Sequence, residues 1–265
     1  MGLLMELMAT SLDNVLQNGH PLTGPEKKHI ALSVAQGMKY LHSSYKSLEN
    51  GQEQVYKRAV LHRDLKAENV LLSLDRKTVK IADFGLGRTL ESWESAHSIV
   101  GTPFIRAPEI IRASQVSQED EEEEEEDDGD DNDDEEAENR RERKKGFGAA
   151  ADVFSYGMLL YTLLTGGLIP FQNPGGNGFA KGPAIFKKIL RGERPSLKYI
   201  PNREEDEEKV LVLVMQLCWQ QEAHHRPSMT KLVHWLSPSS SAPSLSLIET
   251  LQRELTKINP RQYIF

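Results

Sequence analysis

Cysteine is almost absent. Cys218 stands alone, so no disulfide within the chain and no zinc site built from several cysteines can exist. That economy suits a reducing, intracellular setting, cytoplasm or nucleus. Cys218 lies in the apolar stretch Val-Met-Gln-Leu-Cys-Trp, which predicts a buried, inert thiol rather than a nucleophile. Long apolar runs are missing too. Nothing approaches the ~18 residues of a membrane helix, and Met1 to Met8 is too short for a secretory signal, so no membrane partner is expected. Gly2 invites comparison with a myristoylation site, but Glu6 occupies the place where that signal needs Ser or Thr. No specific nucleic-acid partner is expected either.

What is present is charge, unevenly spread. The formal net charge is -8, yet residues 119 to 145 hold 18 of the 40 acidic side chains and only 5 of the 32 basic ones. Without that segment the balance is +5, with 27 basic residues against 22 acidic. The Glu/Asp run from Glu119 to Glu136, followed by Arg140-Arg141-Glu142-Arg143-Lys144-Lys145, repels itself and offers no apolar groups to bury. Disorder is predicted there, over 115–146. The acidic run, residues 119–136, is a candidate docking site for a basic partner, and equally a solvated tether.

The remainder reads as a helical domain with short strands. Residues 2 to 8, Gly-Leu-Leu-Met-Glu-Leu-Met, suggest a short buried strand running into a connection, and Thr10-Ser11-Leu12-Asp13 has the capping chemistry of a short helix. After Pro25 a stronger helix is predicted, with Ile30, Val34, Met38 and Leu41 on one inward face. Residues 43 to 57, polar and holding Gly51, read as a long connection. Val60 to Leu74 and Thr78 to Ala82 suggest a loop flanked by small strands, a common carrier of chemistry. Residues 151 to 165 are apolar nearly all round, which predicts a helix buried inside the domain. Val210 to Trp219 is another apolar run, but its β-branched residues argue for strand and its charged flanks for helix. Ser237 to Ser246 reads as a Ser/Pro linker, and Leu247 to Ile258 as a terminal helix.

The chemistry lies in one ordered series. His62-Arg63-Asp64-Leu65-Lys66-Ala67-Glu68-Asn69 is followed by Asp83-Phe84-Gly85, then Gly101-Thr102, then Ala107-Pro108-Glu109. Any one of these tripeptides is a weak signal; four in this order and spacing resemble the eukaryotic protein kinases, in the pattern of the Ser/Thr-specific members. The resemblance implies a mainly α fold: the C-terminal lobe of a kinase, helical, with small β hairpins at the catalytic loop. The N-terminal β lobe is represented only by its last strand. The implied divisions are 1–8 for that strand and the hinge, 9–114 and 147–237 for the two parts of the lobe, 115–146 for the acidic/basic insert, and 238–265 for the tail.

It also implies a reaction, transfer of the γ-phosphate of ATP, with Mg²⁺, to Ser or Thr hydroxyls of a protein substrate. Such chemistry asks mainly for positioning and charge neutralisation. By resemblance Asp64 accepts or orients the acceptor's proton, Lys66 reaches the γ-phosphate, Thr102 bonds Asp64 and Lys66, and Asn69 and Asp83 supply the hard oxygens that Mg²⁺ prefers. Met5 is the gatekeeper position, the backbone of the hinge from Glu6 to Met8 meets adenine, and Leu71 and Ala82 line the nucleotide's underside. Ser98, four residues before Thr102, is the candidate activating phosphosite among Thr89, Ser92, Ser95 and Ser98, with Arg63 as its charge-assisted partner. Asp152 resembles the aspartate that braces the catalytic loop, and Glu109 and Arg226 the buried pair that ties the activation segment to the base of the lobe. Cys218-Trp219 ahead of Arg226-Pro227 is similar to the tyrosine kinase-like group. Ile105 stands where the common pattern has an aromatic residue.

Neither a Gly-rich phosphate loop nor its partner lysine is found; Gly175-Gly176-Asn177-Gly178 comes after the catalytic motifs and reads as a flexible loop. Losing one preorganised group at a transition state costs a factor of ~10²–10³ in rate, so these residues alone are expected to transfer phosphate poorly. Two readings therefore stand: a Ser/Thr kinase represented by a fragment or a shortened gene model without the N-terminal lobe, and a non-catalytic kinase-lobe scaffold whose acidic insert binds basic partners.

Overall fold

A computed structural model describes residues 6–19, 21–43, 45–49, 52–57, 60–83, 88–89, 102–120, 134–172, 182–201, 206–237 and 244–258. The order begins β1 (Thr10–Ser11), α1 (Leu12–Gln17), α2 (Gly24–His42), β2 (Tyr45–Glu49), β3 (Gln52–Lys57) and β4 (Val60–Leu61). Next come β5 (Val70–Leu72), β6 (Val79–Ile81), β7 (Arg88–Thr89), α3 (Pro108–Asp120) and α4 (Asp134–Leu164). It closes with α5 (Gly182–Leu190), α6 (Asp206–Cys218), α7 (Met229–Leu236) and α8 (Ser244–Ile258). The fold is mainly helical with small sheets, as the resemblance implies.

Local chemistry starts the first helices where the sequence says. The Ser11 side chain accepts from the Asn14 N–H and caps α1, and Thr23 and Glu26 close a full capping box on α2 with Pro25 in its first turn. Ile30, Val34 and Met38 of α2 are buried as expected. The helix expected over 151–165 is the inner part of α4, with Val153, Phe154, Tyr156, Met158, Leu160 and Leu164 all within the core. It forms the centre of the lobe: α6 packs on α4, α8 covers α6, and α2 packs on α7. The Tyr156 hydroxyl donates to the Ala31 carbonyl at 2.9 Å, fixing α4 against α2, and the buried pair Lys27 to Glu208 at 2.6 Å fixes α2 against α6.

Cys218 is fully buried, and burial pushes its thiol far above the ordinary cysteine value, so it is inert. It packs where α4 and α6 come closest, at Gly157. A methyl group there would meet Cys218 Cβ at 3.0 Å, Trp219 N at 3.2 Å and the Met215 carbonyl at 3.3 Å. Two of the three are backbone atoms and cannot swing away. Gly157→Ala is expected to destabilise the lobe by about 1–3 kcal/mol, read as a lower urea midpoint with an unchanged slope.

The open choice at Val210 to Trp219 resolves to helix through Cys218, because α6 is enclosed by α4 on one side and α8 on the other and burial outweighs β-branched preference. Other elements differ from expectation. Residues 45–57, expected as a plain connection, form the antiparallel hairpin β2–β3 with Glu49 opposite Gln52; the intervening Asn50-Gly51 is the composition of a tight hairpin loop. The helices beside the acidic segment reach into it, α3 to Asp120 and α4 from Asp134, since Glu, Ala, Arg and Lys are strong helix formers. The disorder expected for the rest of the insert falls on residues 121–133, outside the described ones. Of the strand expected over 2–8, residues 1–5 also lie outside them; Glu6 to Met8 carry no strand, and Leu7 is 95 % exposed. Pairing starts later, where the Ala9 N–H donates to the Leu72 carbonyl and Thr10 and Ser11 face Leu72 and Leu71.

Candidate active site

The site is built on the open end of one hairpin. Strands β5 and β6 run antiparallel with Val70 opposite Ile81, so Asn69, just before β5, and Ala82, just after β6, emerge side by side; the Ala82 N–H donates to the Asn69 carbonyl at 2.9 Å. Asp83 follows in the left-handed region, φ 62°. Fourteen positions of sequence thus shrink to neighbouring residues. Asn69 and Asp83, the expected metal ligands, share this end of the hairpin.

Arg63 also has a left-handed backbone, φ 69°, a conformation that costs a non-glycine residue about 1–3 kcal/mol unless its surroundings enforce it. Asp152 does so. Its carboxylate accepts from the His62 N–H and the Arg63 N–H, both at 2.9 Å, and from His42 Nε2 at 2.8 Å. Asp152 is 1 % exposed, so this clamp works in a low-dielectric interior. His62 is fully buried; its Nδ1 accepts from the Asp64 N–H, which leaves Nε2–H to donate to the Ala82 carbonyl at 3.1 Å. That contact ties the loop carrying Asp64 to the strand end carrying Asp83.

Asp64 is the centre of the network. One carboxylate oxygen accepts from Thr102 Oγ1 at 2.9 Å, and the other pairs with Lys66 Nζ at 2.8 Å. Lys66 Nζ donates to Thr102 Oγ1 at 3.0 Å, closing a triangle. Asn69 Nδ2 donates to the Asp64 carbonyl at 2.8 Å and to its carboxylate at 3.2 Å. Burial works to raise the Asp64 carboxyl, but the hydrogen bonds from Lys66 and Thr102 and the Lys66 charge outweigh it, and the group is held below the ordinary aspartate value. A carboxylate whose folded pKa lies below its unfolded one stabilises the fold above the unfolded value and loses that contribution as pH falls through the folded one. The wild type is therefore expected to lose stability relative to Asp64→Asn as pH drops below the ordinary value of 3.8, measured by urea unfolding of both chains at matched pH.

Arg106 lies beside this network. It is buried, stacked over the Phe186 ring at 5.3 Å, and its guanidinium is drawn below the ordinary arginine value by burial and by the like charge of Arg63, with Asp64 opposing. Further down, Glu109 and Arg226 meet as a two-pronged pair, Nη1 to Oε1 at 2.7 Å and Nη2 to Oε2 at 2.8 Å. Where the sequence leads one to expect the nucleotide, Leu71 faces Ser11 on β1 and Lys80 on β6, and Glu6 reaches Lys80 at 3.3 Å, so the expected hinge residue Glu6 lies next to the hairpin that carries the expected floor residues Leu71 and Ala82. Met8 is half-buried.

The structure thus brings Asp64, Lys66, Asn69 and Thr102 into one network, sets Asp83 at its edge, and puts Asp152 beneath it and the Glu109–Arg226 pair at the base. Thr89 pairs with Val60 through β4 and β7, whereas Ser92, Ser95, Ser98 and the loop around Gly175 lie outside the described residues. Sequence reasoning assigned no role to His62, though it stands inside the motif, nor to His42 or Arg106. No sequence signal links His42 to Asp152, 110 positions away. Among the described residues no cluster of three or more His, Cys, Asp or Glu side chains stands ready to hold a metal, and no helix is long and apolar enough to cross a membrane.

Comparison with known proteins agrees with this geometry. Residues 1–121 match the family model described as protein kinase domain, and residues 136–236 that of the protein tyrosine and serine/threonine kinases. The chain is 28% identical over 221 residues to RGS domain-containing serine/threonine-protein kinase A of Dictyostelium discoideum, covering 83% of this chain and 14% of that protein. It is 27% identical over 228 residues to the serine/threonine/tyrosine-protein kinase HT1 of Arabidopsis thaliana, covering 86% of this chain and 44% of that one. Against mitogen-activated protein kinase kinase kinase 7 of Bos taurus the figures are 28% over 227 residues, 84% of this chain and 30% of the relative. The chain spans less than half the length of each of these relatives. With the two matched stretches taking in most of its length and the motif series folded into one network, the chain belongs to the eukaryotic-type protein kinase superfamily.

Proposed function

We propose that this chain carries the catalytic loop of a Ser/Thr protein kinase, which transfers the γ-phosphate of ATP to a Ser or Thr hydroxyl of a protein. The observation that carries the reading is the Asp64 carboxylate, oriented at one oxygen by Thr102 and at the other by Lys66. An ionised, oriented carboxylate is what an acceptor hydroxyl needs for its proton, and an ammonium beside it is what a migrating phosphoryl group needs for its charge. Asn69 donates through Nδ2, which leaves its carboxamide oxygen for a cation, and Asp83 adds a carboxylate at the same hairpin end. Two oxygen ligands that share the ion with substrate phosphates suit Mg²⁺, which seldom uses an all-protein cage. When bound, Mg²⁺ neutralises the phosphate charge. The backbone from Glu6 to Met8, with Leu71 and Ala82, takes the adenine. Arg63 answers a phosphate on Ser98. The single, buried cysteine goes with a cytoplasmic or nuclear setting.

The test is phosphotransfer from Mg-ATP to a generic basic protein, made with this chain and with whatever the reading frame encodes upstream of Met1. Phosphoserine or phosphothreonine in the acceptor and Mg²⁺-dependent ATP binding by calorimetry are expected. Phosphotyrosine alone, or ATP binding indifferent to Mg²⁺, overturns the reading. A second reading, a non-catalytic scaffold, draws on the exposure of Leu7 and Leu74 beside the small sheet and on the acidic run at 119–136 as a seat for a basic partner. No ATP binding combined with salt-sensitive capture of a polylysine peptide would favour it.

A further inference from the structure

A cavity of about 420 Å³ lies between the C-terminal end of α2, the inner part of α4 and the start of α7. Its volume falls within the range of small-molecule sites. Val153, Pro227 and Met229 are buried and make an apolar floor, while Lys39 and Thr230 are exposed and stand at the rim. None of its described lining residues is acidic, although Lys39, His42 and Arg226 all contribute. Arg226 is fully engaged by Glu109 and by the carbonyls of Ala150, Gln220 and Gln221. Lys39 has no ion-pair partner among the described residues. The first turn of α7 adds its partial positive charge on the same side. Of the three basic residues only Lys39 is left for a ligand, since Asp152 holds His42 and Glu109 holds Arg226; an apolar floor under that one exposed ammonium is complementary to a small apolar body bearing one negative charge.

The lining also reaches the machinery of the site. His42 donates to the Asp152 carboxylate, and Asp152 holds the His62 and Arg63 amides that set the backbone of Asp64. Arg226 anchors Glu109. An occupant of the cavity touches both supports at once. We propose that this cavity is a regulatory ligand site for a small amphipathic carboxylate, whose apolar body lies on Val153, Pro227 and Met229 and whose head group pairs with Lys39. Its occupancy is felt by the catalytic loop through His42 and Asp152.

The experiment needs no phosphotransfer, so its failure is separate from failure of the kinase reading. The full chain, labelled at its methionine methyl groups, is titrated with 2-naphthylacetate and with the uncharged 2-naphthylethanol while the Met229 resonance is followed. Saturable movement of Met229 by the acid is expected, with the alcohol about fivefold weaker, the upper scale of one surface ion pair. Lys39→Gln, at an exposed position with no ion-pair partner among the described residues, should bring the acid down to the alcohol's affinity. Hydrogen exchange at the His62 and Arg63 amides should slow in the bound state. An unmoved Met229, equal binding of acid and alcohol, an unchanged affinity in Lys39→Gln, or exchange at His62 and Arg63 that ignores the ligand would each overturn the proposal.

Discussion

Arg226→Met is expected to lower the unfolding free energy by about 3–5 kcal/mol, the cost of breaking a buried ion pair from one side. The Arg226 side chain is wholly buried and Glu109 only 13 % exposed, so removing the guanidinium leaves a carboxylate in a poorly solvated place. The loss does not end with the pair. Arg226 also donates to the carbonyls of Gln220, Gln221 and Ala150, which join the start of α7, the end of α6 and the inner part of α4. Methionine fills most of the volume and satisfies none of these oxygens. Arg226→Lys keeps the charge but loses the planar fork, so it should recover only a minor part. Glu109→Gln should cost less, because a neutral amide can still accept from Arg226 and leaves the carbonyl bonds intact. The measurement is urea unfolding of wild type, both single variants and the double variant. A coupling near zero between positions 109 and 226 would mean that the pair contributes no more than its separate contacts. The consequence reaches function, because Glu109 lies in the first turn of α3, just after the stretch from Thr102 to Arg106, and Thr102 is one of the three side chains that hold the Asp64 carboxylate.

How far the sequence led depends on the range over which each interaction acts. Asp64, Lys66 and Asn69 lie within eight residues, and one hairpin brings Asp83 back beside Asn69, so phosphoryl-transfer chemistry leaves a compact, ordered motif. The cap on α1 was equally legible, because Ser11 needs only the Asn14 N–H three residues on and a helix start. Contacts between distant segments leave no such trace. His42 and Asp152 meet only because α2 and α4 pack together, and nothing in either local sequence announces it. The hairpin β2–β3 had the Asn50-Gly51 dipeptide between its strands in plain view, but Tyr45-Lys46-Ser47-Leu48-Glu49 and its partner offer no alternating apolar face, so the strand signal was weak. Apolar Leu7 suggested burial on composition alone, yet burial requires something to lie against, and among the described residues nothing covers it.

Asp64→Asn is expected to reduce the phosphotransfer rate by about 10²–10⁴-fold, the usual contribution of a positioned general base, while leaving Mg-ATP affinity close to wild type. The amide can still accept from Thr102 Oγ1, so the loop keeps much of its geometry, but it cannot take a proton and no longer pairs with Lys66. Freed of that partner, Lys66 retains its bond to Thr102 and its charge. On the proposed reading, in which nucleotide binding draws on Asn69, Asp83 and the hinge, binding should therefore persist while chemistry fails. Thr102→Ala separates orientation from proton transfer. It removes the hydroxyl's bond to Asp64 together with the one it accepts from Lys66; the first, to a charged group, is worth about 1.5–3 kcal/mol, and its loss should slow the reaction by about one to two orders of magnitude, leaving Asp64 able to accept a proton from a less favoured angle. The pair of variants is read by initial rates at saturating Mg-ATP together with nucleotide binding by calorimetry. If Asp64→Asn lost nucleotide binding in step with rate, the carboxylate would belong to the metal site rather than to the acceptor hydroxyl. If Thr102→Ala matched it in severity, the triangle of Asp64, Lys66 and Thr102 would be acting as one unit, in which orientation is as indispensable as the base itself.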